Sequence, residues 1–162
     1  MTNALQYAKK IVKSRRSAQN PTVSFYEVIM KKLTIAVDFD GICVHDEFPH
    51  VGADMFGAEL ALKKLQSDGH HIILWTCREH FPYHGVDDVL QLAIDWFTKR
   101  DISLYAINGN PDMILEHDYP IARKCHADVL IDDHALFIPR LPNGDIDWHS
   151  IYKEITRLAN EG

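Results

Sequence analysis

Residues 33–41, with the sequence Leu-Thr-Ile-Ala-Val-Asp-Phe-Asp-Gly, place the strongest constraint on how this chain can fold. An apolar, β-branched run of this kind is typical of a strand buried on both faces of a parallel sheet. Two carboxylates, Asp38 and Asp40, end the run, and α/β proteins bind ligands beyond the carboxyl ends of their strands. Taken alone, the stretch also fits an acidic turn or a calcium loop, because Asp and Gly are common turn residues. The rest of the chain has to decide between these interpretations.

Short apolar strands alternate with amphipathic helices along the rest of the chain. Further strands are predicted at 71–75, 102–107, 128–131 and 135–138. Helices are predicted at 56–68, at 86–100 and after Asp147, with a short helical turn at 120–126. Gly69 follows the first helix, where a left-handed cap favours glycine. This order predicts an α/β fold of one domain, a three-layer sandwich around a mostly parallel central sheet.

Charge divides the chain into a basic start and an acidic remainder. The first 30 residues hold five basic side chains and one acidic one, which leaves 12 basic and 22 acidic side chains for the other 132. Nucleic-acid phosphates are bound by a surplus of Lys and Arg, so we expect no general nucleic-acid binding. The acidic part suits the binding of cations.

Residues 1–29 are predicted to form a basic helical arm that is separable from a domain over residues 30–162. Its apolar residues recur at helical spacing: Ala4, Leu5, Ala8, Ile11 and Val12. Four interpretations stay open: a solvated helix packed on the domain, a transit peptide, a membrane-surface or partner-binding helix, and a dispensable appendage before a chain start at Met30.

Cysteine usage and hydropathy indicate the compartment. Cys43, Cys77 and Cys125 are odd in number and widely spaced, which argues against a disulfide framework and for a reducing environment. No apolar run approaches the roughly 18 residues that cross a bilayer. The N-terminal stretch lacks the apolar segment of a secretory signal. We therefore expect a cytoplasmic protein without membrane partners.

Three of the predicted strands end in reactive side chains. These are Asp38-x-Asp40-Gly41 after the first strand, Thr76 after the second, and Asp132-Asp133 after the fourth, with Lys124 shortly before it. Because the carboxyl ends of parallel strands share one edge of the sheet, we expect these groups to meet. Mg²⁺ takes carboxylates, water and substrate phosphate as ligands, so Asp38 and one acid of the later pair could hold it. Thr76, the N–H groups after it and Lys124 could hold the anion.

The same residues resemble the four motifs of the haloacid dehalogenase superfamily, whose members are phosphohydrolases with an aspartate nucleophile. The matching segments, in order, are Val37-Asp38-Phe39-Asp40-Gly41, Leu74-Trp75-Thr76, Arg123-Lys124 and Leu130-Ile131-Asp132-Asp133. The resemblance covers most of residues 33–160 and is strongest to small, uncharacterised bacterial members. It implies a Rossmann-like fold.

The resemblance also implies a magnesium-dependent phosphomonoester hydrolase that works through an aspartyl-phosphate. Asp38 would be the nucleophile, and Asp40 would protonate the leaving oxygen and then activate water. Substrate contacts would come from Gly41, Thr76, Cys77, Arg78 and Lys124. Magnesium would be bound by Asp38, the backbone carbonyl of Asp40 and Asp132, with Asp133 either a ligand or a partner of the metal's waters.

Neither segment that carries a cap domain in many relatives is long enough to hold one here. An open site suits a macromolecular substrate, closure by a partner in a homo-oligomer, or a small substrate held by the loop at 42–55. The phosphate could therefore belong to a small molecule or to a polymer end. Two other functions stay open. One is a phospho-acceptor domain. That class carries its Lys after the later acidic strand, whereas Lys124 precedes Asp132. The other is a non-catalytic relative that binds or scaffolds a partner.

Overall fold

Four short strands form one sheet in the computed structural model, which describes residues 30–109 and 125–161. They are β1 (Thr34–Val37), β2 (His71–Leu74), β3 (Ala106–Ile107) and β4 (Val129–Ile131). Their order across the sheet is β3-β2-β1-β4, and every pair is parallel. The register places Val37 opposite Leu74 on one side and Ile131 on the other, so the strand ends are level.

Three helices flank this sheet within the described ranges. They are α1 (Ala58–Ser67), α2 (Val89–Thr98) and α3 (Trp148–Glu161). α1 packs against both α3 and β2. The predicted α/β sandwich with a parallel sheet is therefore confirmed. None of these helices is long and apolar enough to cross a membrane.

Two aspartates cap helices: Asp147 caps α3 as the sequence predicts, and Asp88 caps α2, which therefore begins at Val89 and not at the predicted residue 86. The Asp88 carboxylate accepts the N–H of Gln91 at 2.9 Å and begins α2, and Asp147 accepts the N–H of Ser150 at 3.1 Å and begins α3. At the end of α1, Gly69 has a φ of +90°. Two backbone bonds accompany it, from Gly69 N–H to the carbonyl of Gln66 and from the next N–H to that of Leu65, which is the Schellman arrangement.

β1 is buried on both faces, as its unbroken apolar run predicts. Ile35, Ala36 and Val37 have no exposed surface. Phe39, just beyond the strand, is also fully buried and lies 5.8 Å and 6.2 Å, between ring centroids, from Trp96 and Phe97 of α2. Because Phe39 separates Asp38 from Asp40, its packing on α2 fixes the backbone between the two acids.

The third strand is shorter than the predicted 102–107. The N–H of Ile102 donates to the carbonyl of Phe97 at 3.1 Å, so this residue still completes the end of α2. The chain joins the sheet only at Tyr105, whose N–H donates to Ile72 at 2.7 Å. The apolar pattern over 102–105 therefore reflects packing against the C-terminal end of α2, and strand geometry begins at Ala106.

The predicted strand at 135–138 is wrong, because these residues lie in turns and irregular chain. The N–H of Ala135 donates to the carbonyl of Asp132 at 3.1 Å, which closes a turn at the point where a ladder would have to start. Most of the predicted helical turn at 120–126, and all of the arm at 1–29, lie outside the described residues.

Trp148, the first residue of α3, ties this helix to the loop that follows β1. Its indole N–H donates to the carbonyl of Ile42 at 3.0 Å, and its side chain is almost completely buried. A buried N–H of this kind needs a partner, and here the partner lies 106 positions away in the sequence. This hydrogen bond therefore ties the loop after the first acidic motif to the start of α3.

Buried His70 is expected to make the fold less stable in mild acid. Its Nδ1 accepts the N–H of Leu33 at 3.2 Å, and burial lowers the pKa of the ring below its usual value. The unfolded chain, with a histidine pKa near 6.5, then binds the proton more readily than the folded chain. Stability is complete above about pH 6.5 and falls as the pH drops below it.

Thermal unfolding between pH 7.5 and 5.5 measures this effect. In His70→Asn the amide oxygen can accept the same hydrogen bond without titrating, so we expect its Tm to fall less than that of the wild type over the same range. The comparison removes the contributions of all other ionisable groups. Parallel curves for the two proteins would contradict the assignment.

Candidate active site

The sheet order creates a crevice between β1 and β4. From β1 the chain proceeds to β2 and β3 on one side, whereas β4 lies on the other side of β1. In open parallel sheets, ligands bind outside the carboxyl ends of the strands at this change of direction. Asp38 follows β1 and Asp132 follows β4, and the N–H of Asp38 donates to the carbonyl of Ile131 at 2.9 Å. The two acids therefore leave adjacent strands at the same level.

Asp133 packs against the turn that follows Asp40. Gly41 has a φ of +74°, and a Cβ added to it would lie 2.8 Å from Cγ of Asp133 and closer still to Oδ2. A side chain at position 41 would displace the Asp133 carboxylate, and the left-handed backbone independently favours glycine. The first acidic motif and the last acid pair are thus brought together, as the sequence predicts for strand ends on one edge.

The acids of the crevice repel one another. The pKa of Asp38 is raised from 3.8 to about 7, first by burial and then by the charges of Asp132, Asp133 and Asp40. The N–H of Phe39 donates to Asp38 at 2.7 Å and opposes part of that rise. Among the described residues, no cationic side chain forms an ion pair with Asp38. The crevice holds more negative charge than the described protein groups compensate.

This donor set fits a hard divalent cation. Mg²⁺ prefers carboxylate and carbonyl oxygens, which Asp38, Asp132, Asp133 and the backbone of Asp40 can supply. Ligand atoms of Asp132, Asp133 and His134 lie within 4.8 Å of one another. The ring of His134 is largely exposed and lies 2.9 Å from Asp133 Oδ1, and imidazole nitrogen is a poor ligand for magnesium. A cation at the carboxylates would relieve the repulsion that raises the pKa of Asp38.

Asp40 is bound by a buried arginine. Arg78 Nε donates to Asp40 Oδ2 at 2.7 Å and its Nη2 donates to Oδ1 at 2.8 Å, a bidentate pair. The arginine side chain is 1% exposed, although its position beside Thr76 in a loop suggested a substrate contact. This pairing restricts the carboxylate of Asp40 to one orientation.

The remaining N–H groups of Arg78 also have partners inside the protein. Nη1 donates to the carbonyls of Pro49 and Val89 at 2.9 Å and 3.1 Å, and Nη2 donates to that of His50 at 2.7 Å. A guanidinium has five N–H groups, and all five are used here. Arg78 therefore has no donor left for a substrate in this structure, and its geometry favours a positioning role over the predicted substrate contact.

Asn108 holds the loop after β2, and the sequence prediction missed it. Its side-chain oxygen accepts the N–H of Thr76 at 2.8 Å, and its side-chain nitrogen donates to the carbonyl of Arg78 at 3.1 Å. The Thr76 hydroxyl oxygen accepts the N–H of Arg78 at 3.2 Å, which leaves the hydroxyl proton free to be donated. Asn108 directly follows β3, so the rule that strand ends carry functional groups would have found it.

Of the other predicted contacts, Cys77 lies in the described residues and Lys124 does not; Cys43, which was not a predicted contact, also lies beside the first acidic motif. Cys77 is exposed in the loop after Thr76, whereas Cys43 is buried with its thiol donating to the carbonyl of Asp38 at 3.3 Å. Burial raises the pKa of the Cys43 thiol well above its usual range, which makes it unreactive. Lys124 lies outside the described residues, and so does the third of the four motifs.

One solved structure that resembles this chain is that of a conserved protein coded by a locus of Bacteroides thetaiotaomicron. The two share 36% sequence identity, and the match covers 79% of this chain and 93% of the other with a TM-score of 0.62. No protein-family profile and no curated protein matches the chain.

Proposed function

We propose, from the residues of the crevice, that this chain is a magnesium-dependent phosphomonoester hydrolase of the haloacid dehalogenase type. The chain belongs to the same family as the conserved Bacteroides thetaiotaomicron protein, whose description names no activity. The observation that carries the proposal is that Asp38 leaves β1 at the same level as the acid pair that follows β4, close enough for the charges of Asp132 and Asp133 to raise its pKa. Carboxylates that repel one another at a ligand-binding edge can hold a cation, and the cation can in turn assist a reaction on an anionic substrate.

Four oxygen donors would hold the magnesium: the carboxylates of Asp38, Asp132 and Asp133 and the backbone carbonyl of Asp40. When bound, magnesium would neutralise these acids and stabilise the charge that develops on the phosphate oxygens. The Thr76 hydroxyl, whose oxygen accepts the N–H of Arg78, would donate its proton to a phosphate oxygen. Lys124 would supply the remaining positive charge.

Asp38 would attack phosphorus and form a P–O bond while the bond from phosphorus to the leaving oxygen breaks. Asp40, protonated before this step, would give that proton to the leaving oxygen and become a carboxylate. A water would then attack phosphorus, transfer its proton back to Asp40 and free the carboxylate of Asp38. Arg78 occupies one lone pair on each Asp40 oxygen, and a carboxylate oxygen has a second one for the proton.

A phosphatase screen with metabolite phosphates and phosphorylated oligonucleotides tests the proposal. We expect phosphate release that needs Mg²⁺, stops with EDTA and is absent in Asp38→Asn. Activity that ignores EDTA would exclude this mechanism. Stable phosphorylation of the wild type without turnover would favour the phospho-acceptor alternative, and inertness toward every substrate would favour a binding or scaffold protein.

Magnesium binding can be measured without any reaction. We expect Mg²⁺ at about ten times its dissociation constant to stabilise the fold by roughly 1.4 kcal/mol, or about 3–6 °C in Tm. Asp132→Asn should abolish this shift, because it removes a ligand. Asp87→Asn removes an equal charge from an exposed position, and this variant should keep the Mg²⁺-dependent shift in Tm. A Tm that does not respond to Mg²⁺ in the wild type would argue against the metal site.

A further inference from the structure

Three aromatic side chains form an exposed cluster on the loops that lead away from the crevice. Phe48 lies in the loop after β1, and Phe81 and Tyr83 lie in the loop after β2. Ring centroids are 5.3 Å apart for Phe48 and Tyr83 and 6.1 Å apart for Phe81 and Tyr83. Each residue is about two-fifths exposed, at 43%, 39% and 42% respectively. We call these three residues the aromatic shelf.

The shelf is connected to the acid pair of the first motif. The guanidinium of Arg78 lies 5.2 Å from the ring of Phe48 and forms the bidentate pair with Asp40. One buried side chain therefore separates Asp40 from the shelf. Both loops follow the carboxyl ends of their strands, so the shelf and the acids lie on the same edge of the sheet.

Backbone hydrogen bonds fix the shelf in place without a ligand. Tyr83 and Val86 exchange two bonds of 2.8 Å and 3.0 Å, and the carbonyl of Phe81 accepts the N–H of Val89 at 3.3 Å. The residues that follow Phe48 are bound through their carbonyls to Arg78. The rings are thus pre-organised, which lowers the entropic cost of binding a flat group.

The charges around the aromatic shelf disfavour an anionic group of the ligand. In the two loops, residues 42–57 and 75–88, Arg78 is the only Lys or Arg, and all its N–H groups are used. The loops also carry several acids, and Asp88 is paired with His80 at 2.7 Å. A neutral planar ring can stack on the exposed aromatic faces, whereas an anionic group would be repelled.

We propose that the aromatic shelf binds a planar heteroaromatic group of the substrate, so that the substrates are phosphomonoesters of the nucleotide class. This rests on the proposed function, because the phosphate of the same molecule would lie at Asp38. Stacking of a base on an aromatic side chain changes affinity by about tenfold or more. Phe48 also covers Arg78, whereas Phe81 and Tyr83 make no ring contact with that guanidinium among the described residues. Tyr83 does contact the ring of His84, at 4.3 Å between centroids, but about two-fifths of its surface stays exposed to a ligand.

Kinetics on two substrates test the shelf. The ratio of kcat/KM for a nucleoside monophosphate to that for acetyl phosphate, which has no ring, should fall about tenfold in Phe81→Leu/Tyr83→Leu. Leucine keeps the site apolar but cannot stack. Phe56→Leu makes the same change at an exposed phenylalanine before α1 and should leave the ratio unchanged. An unchanged ratio in the double variant would overturn the proposal.

A binding measurement separates this inference from the proposed function. Adenosine, which has no phosphate, should give saturation-transfer NMR signals with the full-length Asp38→Asn protein, and these should be lost when Phe81→Leu/Tyr83→Leu is added. This result, together with a wild type that releases no phosphate in the screen, would support the shelf and refute the hydrolase. Phosphatase activity without adenosine binding would refute the proposed role of the aromatic shelf and leave the hydrolase standing. A protein partner would then be the occupant of the shelf to test next.

Discussion

Replacing Asp38 with asparagine is expected to abolish phosphate release while leaving the protein folded. The amide has the same shape but cannot attack phosphorus, and removal of a covalent nucleophile typically costs at least about a thousandfold in kcat. Phosphate release from an aryl phosphate with saturating Mg²⁺ measures the loss. The exposed Asp87→Asn, with the same change of charge, serves as the matched control and should retain activity.

The same variant should also be more stable than the wild type in the absence of metal. Burial and three neighbouring acids raise the pKa of Asp38 to about 7, above the value near 3.9 in the unfolded chain. A raised pKa means that stability is lost as the pH rises through about 7. With EDTA present, Asp38→Asn should therefore show the larger Tm at pH 8, and the difference should shrink toward pH 5. An Asp38→Asn protein that releases phosphate, or that is less stable at pH 8, would contradict this account.

Replacing Arg78 with methionine is expected to destabilise the fold more than any other single change considered. The substitution leaves Asp40 without its partner and the carbonyls of Pro49, His50 and buried Val89 without a donor. Removing one member of a buried ion pair costs about 3–5 kcal/mol, which corresponds to a fall in Tm of roughly 10 °C for a chain of this size. Thermal and urea unfolding measure the effect.

A double-mutant cycle assigns the cause of that loss. If the unpaired carboxylate contributes, Arg78→Met/Asp40→Asn should be less destabilised than the sum of the two single variants. Arg78→Lys should rescue only part of the stability, because an ammonium cannot form the bidentate pair or reach all three carbonyls. A fall of less than 1 kcal/mol in Arg78→Met would show that the buried network does not hold the two loops.

Features that depend on neighbours in sequence were predictable. The apolar run of β1, the glycine that ends α1 and the capping aspartates of α2 and α3 each follow from local backbone chemistry. The meeting of Asp38 with Asp132 also followed, because a parallel sheet places its strand ends on one edge. The length of β3 was less predictable, because Ile102 is apolar but packs at the end of α2 and does not belong to the strand.

The roles of the positioning groups were not predictable, because those roles depend on contacts across the sheet. Arg78 looks like a substrate contact from its place after Thr76, and only its five bonds to distant atoms reveal an inward orientation. Asn108 lies 32 positions from the loop that it holds. A sequence pattern identifies reactive groups at strand ends, but it does not show which of them bind a ligand and which bind each other.

The place of β4 in the sheet has a consequence for the order of folding. In the described residues β4 pairs with β1 alone, over three residues, and some 94 positions of chain separate the paired partners. Contacts of such long sequence separation form late, because closing the intervening loop costs entropy first. A chain in which β1, β2 and β3 have already assembled would still lack Asp132 and Asp133. The crowding of negative charge around Asp38 therefore depends on this one strand pairing, the pairing of longest sequence separation in the sheet.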